Sequence, residues 1–77
     1  LGWVLFRLGQ YDQAIIELEK AASGRPDGLI LEHLGDAYLK VGDRSRAKET
    51  FARAAEVYRK EHEEEKARLV EGKLKAL

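Results

Sequence analysis

Residues 34–55 read LGDAYLKVGDRSRAKETFARAA, and they carry two helices and the turn between them. Leu34, Ala37, Tyr38 and Val41 recur at helical spacing, and the pattern stops at Gly42. A glycine there supplies the left-handed residue that ends a helix. Asp43, directly after it, offers a carboxylate to the first amides of the next helix. From about Arg44 the apolar positions resume as Ala47, Phe51, Ala54, Ala55 and Tyr58, while Lys48, Glu49, Arg53 and Glu56 fall on the opposite, water-facing side. A connection of two or three residues makes the two helices antiparallel neighbours. Toward the N-terminus, Asp27 beside Pro26 caps the start of the first of them near Gly28 or Leu29, and Ile30 and Leu31 extend its apolar face.

The pattern occurs twice. Shifting the chain by 33 places superposes Leu1 on Leu34, Gly2 on Gly35, Gly9 on Gly42, Ala14 on Ala47, Ala21 on Ala54 and Ala22 on Ala55. Similar residues fill the intervals: Arg7 with Lys40, Leu8 with Val41, Leu18 with Phe51, Lys20 with Arg53. Small residues mark places where helix backbones approach closely or the chain turns, so a repeat of this length is one helix-turn-helix unit. The earlier unit is expected to place helices at roughly 1–8 and 11–23 around a turn at Gly9 and Gln10.

The order Leu34-Gly35, Tyr38, Gly42, Ala47, Phe51, Ala54, preceded by Leu1-Gly2, Gly9, Tyr11, Ala14, Leu18, Ala21 and Pro26, resembles tandem tetratricopeptide repeats. Leu31 stands at the usual tryptophan position, Leu5 at the earlier tyrosine and Arg59 where a proline is usual. The resemblance implies an all-α fold of antiparallel helix-turn-helix repeats, an α-solenoid closed by a C-terminal capping helix. Residues 1–27 are expected to form a partial repeat with its first helix truncated, 28–60 a complete repeat, and 61–77 the cap. Residues 1–8 read as the middle of an apolar helix with no cap before it, so the chain is taken as the C-terminal part of a longer array.

Beyond Glu61 the landmarks cease, yet Ala67, Val70, Leu74 and Leu77 keep helical spacing. Lys60 with Glu64, Glu64 with Arg68, and Glu71 with Lys75 are opposite charges four residues apart. Two geometries are open. Either the chain turns near residues 61–64 and the last helix packs back as a cap, or residues 44–76 form one long helix, since no Gly or Pro lies between Gly42 and Gly72.

Composition narrows the function. Fourteen Lys plus Arg balance fourteen Asp plus Glu in 77 residues, without the basic excess of a nucleic-acid arm. No apolar run approaches the roughly 18 residues of a membrane span. With no cysteine there is no disulfide or thiolate zinc site, and the chain suits a cytosolic or an exported home alike. His33 and His62 are not in zinc-binding spacing, and Ser23, Ser45 and Thr50 show no base beside them. The run of Glu61, Glu63, Glu64 and Glu65 reads as a solvated face. No active site, metal or cofactor is expected.

In tetratricopeptide repeats the first helices line a concave groove that holds a protein or peptide. The resemblance therefore points to Trp3, Phe6 and Arg7 in the first unit and to Leu29, Glu32, Asp36, Leu39 and Lys40 in the second. Trp3 and Phe6 read either as exposed anchors or as residues covered by an upstream repeat. Relatives that clamp a terminal carboxylate use Lys and Asn in these places; Glu32 and Asp36 have the wrong charge for that. A different class of function is self-association. An open edge at Leu1, Val4, Leu5 and Leu8 gains about 1.5 to 3 kcal/mol for each side chain covered, so this fragment is expected to form a homo-oligomer through that edge and the C-terminal helix, with helices exchanged.

Overall fold

A computed structural model describes the backbone from residue 2 onward and the side chains from residue 10 onward. The chain forms α1 (Gly2–Gly24), α2 (Gly28–Lys40), α3 (Arg44–Lys60) and α4 (Glu64–Lys75), with no strand among the described residues. Each helix packs against the next in sequence, so α3 stands between α2 and α4.

The caps form where the sequence places them. The Asp27 carboxylate accepts from the Ile30 amide at 2.8 Å, and the Asp43 carboxylate accepts from the Arg46 amide at 3.2 Å. Gly42 takes φ +85. Its amide donates to the Leu39 carbonyl at 3.0 Å and the Asp43 amide to the Tyr38 carbonyl at 2.9 Å, which satisfies the last carbonyls of α2.

Two glycines set how α2 meets α3. Gly28 and Gly35 lie seven residues apart on one face of α2, and the rings of Tyr58 and Phe51, seven apart on α3, rest directly on them. A Cβ on Gly35 would stand 2.6 Å from Phe51 Cε1. The start of α2 meets the end of α3, which fixes the pair as antiparallel. Around this contact lies one core of Leu31, Leu34, Tyr38, Ala47, Phe51, Ala54, Ala55 and Tyr58, continued by Ala22 of α1 and by Ala67 and Val70 of α4. Phe51, Tyr58, Leu31 and Val70 are the largest side chains fully withdrawn from water, worth about 1.5 to 3 kcal/mol each for the aliphatic and phenyl groups.

The turn expected at Gly9 and Gln10 does not form; α1 is one helix of 23 residues. The repeat shift puts Gln10 where Asp43 caps α3, and glutamine is not a preferred cap. A single interior glycine costs a helix only about 1 kcal/mol, too little to end it without a cap beyond.

The last segment takes the folded-back geometry. At Glu61–Glu63 the hydrogen bonds of the α2–α3 turn recur: the His62 amide donates to the Arg59 carbonyl at 3.1 Å and the Glu63 amide to the Tyr58 carbonyl at 2.7 Å. His62 takes the glycine's place at φ 63. Glu63 makes no side-chain cap bond. Two of the three charge pairs expected along the last segment are superseded: Lys60 and Glu64 lie on either side of the turn, and Glu71 pairs with Arg59 of α3.

Gly35→Ala is expected to lower stability by about 1 to 3 kcal/mol despite alanine's higher helix propensity, because the methyl meets a fully buried ring. Thermal unfolding followed by circular dichroism checks this. His62→Gly removes a left-handed non-glycine residue and should raise the midpoint in the same assay, by a gain of up to about 1 kcal/mol after the glycine's unfolded-state entropy is subtracted.

Candidate functional site

The outer face of α2 holds the expected groove positions, and α4 forms its second wall. Leu29 is 53% exposed on α2, and Lys40 is exposed at the other end. Glu32 and Asp36 lie between them, half-buried. On α4, Leu69 is 68% exposed, one turn before Lys73.

Lys73 joins the two walls. Its Nζ donates to Glu32 Oε2 at 2.9 Å and to both Asp36 carboxylate oxygens at 3.2 Å, and it stands 5.7 Å from the centre of the Phe51 ring. The other Glu32 oxygen accepts from the Tyr58 hydroxyl at 2.7 Å. Tyr58 thus supports the backbone of Gly28 with its ring and positions a groove carboxylate with its hydroxyl. Lys66 lies one heptad before Lys73, 5.9 Å from the Tyr58 ring centre and 3.9 Å from a Glu63 oxygen.

These contacts set the charge states. Burial alone pushes the Glu32 carboxyl up, but the bonds from Lys73 and Tyr58 outweigh it and hold it below its ordinary value. Burial pushes the Lys73 ammonium down, and the Glu32 and Asp36 carboxylates more than restore it, above its ordinary value. Burial and the neighbouring Glu32 charge both push the Tyr58 phenol up. Glu32 is therefore a carboxylate and Lys73 an ammonium at neutral pH, the Tyr58 hydroxyl keeps its proton, and the one ammonium is shared between Glu32 and Asp36.

A second concavity, of about 410 Å³, lies where α1, α2 and α3 meet, lined among others by Glu19, Ala22, Leu34, Tyr38, Thr50 and Arg53. The Tyr38 hydroxyl donates to Glu19 across it, which ties the end of α2 to α1. Burial, then that carboxylate, push the Tyr38 phenol up. Among the described residues no three His, Cys, Asp or Glu side chains gather to hold a metal ion, and no helix is long and apolar enough to cross a membrane.

Of the eight expected partner-contacting residues, the side chains of Trp3, Phe6 and Arg7 lie outside the described residues. Leu29, Glu32, Asp36 and Lys40 share the outer face of α2, with the two acids bound to Lys73 rather than free. Leu39 is half-buried and packed against the core. Lys73 and Leu69 were not foreseen; they join this face only because the chain turns at His62, where no glycine or proline signals it.

A family model described as tetratricopeptide repeat-like domain matches residues 1–77. No curated protein and no solved structure matches the chain.

Replacing Lys73 by Met should lower stability at neutral pH. A carboxyl whose folded pKa is depressed contributes stability in full above its ordinary value, 4.5 for Glu32, and loses it as the pH falls through the lower folded value. The difference in thermal midpoint between the unsubstituted chain and Lys73→Met is therefore expected to be constant near neutrality and to shrink below about pH 4.5.

Proposed function

The chain belongs to the tetratricopeptide repeat-like family, and on that premise we propose that it is a protein-interaction module whose contact surface is the α2–α4 face. Domains of this family mediate protein–protein interaction and are typically scaffolds rather than enzymes. The observation that carries the reading is the pair of exposed leucines, Leu29 and Leu69, on walls that α3 packs against and Lys73 bridges. Exposed apolar side chains on a rigid two-helix surface gain from being covered, and their positions are set before a partner arrives. Leu39 serves the core beneath it.

The test is selection of a displayed random-peptide library against the folded chain, with the bound peptide mapped by amide chemical shifts. Enriched peptides should shift Leu29 and Leu69, and Leu29→Asp should weaken them by about tenfold or more. Equal binding to Leu29→Asp, or shifts confined to α1 and the outer side of α3, would falsify the reading.

A second reading, self-association, rests on α1. Ala47, Phe51 and Ala54 of α3 are fully buried, whereas their repeat equivalents on α1 are not: Ala14 and Leu18 are half-buried and Ala21 is exposed. That face lacks the antiparallel mate that α2 provides for α3, and a second copy covering it would form a dimer. The last helix gives this reading no support, because its Ala67 and Val70 are buried within the chain. Sedimentation across a concentration series should show a rising mass, and a constant monomer mass rules the dimer out.

A further inference from the structure

The turn that brings α4 back is weakly held. His62 sits at φ 63, Glu63 makes no side-chain cap bond to α4, and among the described residues the one tertiary hydrogen bond at the turn, from the Gly28 amide to Glu61, is long at 3.4 Å. Only residues 61–63 separate α3 from α4, and none is a glycine or proline. Residues 59–66 are all Glu, Lys or Arg except His62, so their intrinsic preference is to continue the helix. A straight path would set Arg59 beside Glu63 and Lys60 beside Glu64, against one like-charge pair, Glu61 with Glu65. A short hinge held in an unfavourable conformation is the condition under which an element passes from one copy of a chain to another.

A straightened chain cannot cover α4 by itself. On one helix over residues 44–75 the last segment projects beyond the end of α3, with Ala67 about 180° round the axis from Tyr58 and Val70 about 120°. Its apolar stripe then faces away from the side that holds α2. The surface that fits this stripe is specific: the core takes Ala67 and Val70, Glu32 and Asp36 take Lys73, and Arg59 takes Glu71. A second copy that has straightened in the same way offers that whole set, vacated by its own α4.

We propose that α4 is an exchange element: at high concentration two copies straighten at His62, and each packs its α4 on the α2–α3 pair of the other in a closed two-fold dimer. The contacts that α4 makes within one chain are then made between chains, and only residues 61–63 change conformation. Ala67 and Val70 stay buried, so the exchange needs no free apolar face on α4. It is a different assembly from a dimer through α1, which leaves the turn as it is. Two turns are relieved in each dimer, so a change in the cost of one counts twice in the dimer constant.

In the experiment the unsubstituted chain, His62→Gly and His62→Ala are unfolded in denaturant, refolded at concentrations up to about 1 mM and sized by sedimentation. His62 is exposed, so neither substitution removes core packing. Glycine favours the turn and disfavours the straight helix; alanine does the reverse. His62→Ala should dimerise about tenfold or more tightly than the unsubstituted chain, and His62→Gly about tenfold or more weakly. A charge-exchanged pair tests the contact itself: Lys73→Glu in one chain, and Glu32→Lys with Asp36→Lys in another. Each alone sets like charges between its α2 and α4. Refolded together they should form mixed dimers in excess of either self-dimer, the substituted α4 of the first meeting the substituted α2 of the second. Equal mass for the three hinge chains at every concentration overturns the exchange, and a dimer equally strong in all three belongs to the α1 face instead. Charge-exchanged chains with no preference for one another overturn it as well. If a hinge variant fails to refold, the charge-exchanged pair decides.

Discussion

The fold depends on the close approach of α2 to α3. Two side chains are removed from α2, at Gly28 and Gly35, so that two rings, Tyr58 and Phe51, can lie on its backbone. Interiors are packed to crystal density, so the approach distance cannot vary without opening a void or forcing a clash. Once it is set, Tyr58 stands where its hydroxyl reaches Glu32, and Phe51 stands beneath Lys73. The groove charges are thus fixed from below by the rings that the glycines admit.

The same turn is used twice with different chemistry. Tyr38 and Tyr58 each give their carbonyl to an amide five residues on, and each chain reversal is completed by a residue at positive φ. Gly42 adopts that conformation freely, whereas His62 adopts it at a cost. What compensates His62 is tertiary: a turn there allows Ala67 and Val70 to leave water against the core. Counted from their caps, the positions that carry Gly28 and Gly35 on α2 carry Glu64 and Glu71 on α4. Two glutamates cannot receive rings as those glycines do, so α4 does not repeat the ring-on-backbone contact that α2 makes.

The turn at His62 also determines the electrostatics of the α2–α4 face. An acidic α2 surface, viewed alone, suggests a basic partner; with α4 in place the same acids belong to an internal ion cluster. Half-exposed ion pairs of this sort contribute modestly to stability.

Local chemistry made much of this legible in the sequence. Asp27, Gly42 and Asp43 act within three residues of themselves, and the buried faces of α2 and α3 follow from spacing alone, so periodicity and capping sufficed for that hairpin. The contacts that could not be read join distant parts of the chain: Lys73 and Glu32 are 41 residues apart, and Tyr58 and Glu32 are 26. The persistence of α1 through Gly9 turned on a missing cap at Gln10, a local feature outweighed in the reading by the repeat pattern. The sequence by itself determined the repeat class, the two caps and the helix faces, because each rests on groups only a few residues apart. The reversal at His62, and with it the wall whose Lys73 binds Glu32 and Asp36, was decided by tertiary structure, because only burial of a distant apolar stripe outweighs an unfavourable backbone conformation.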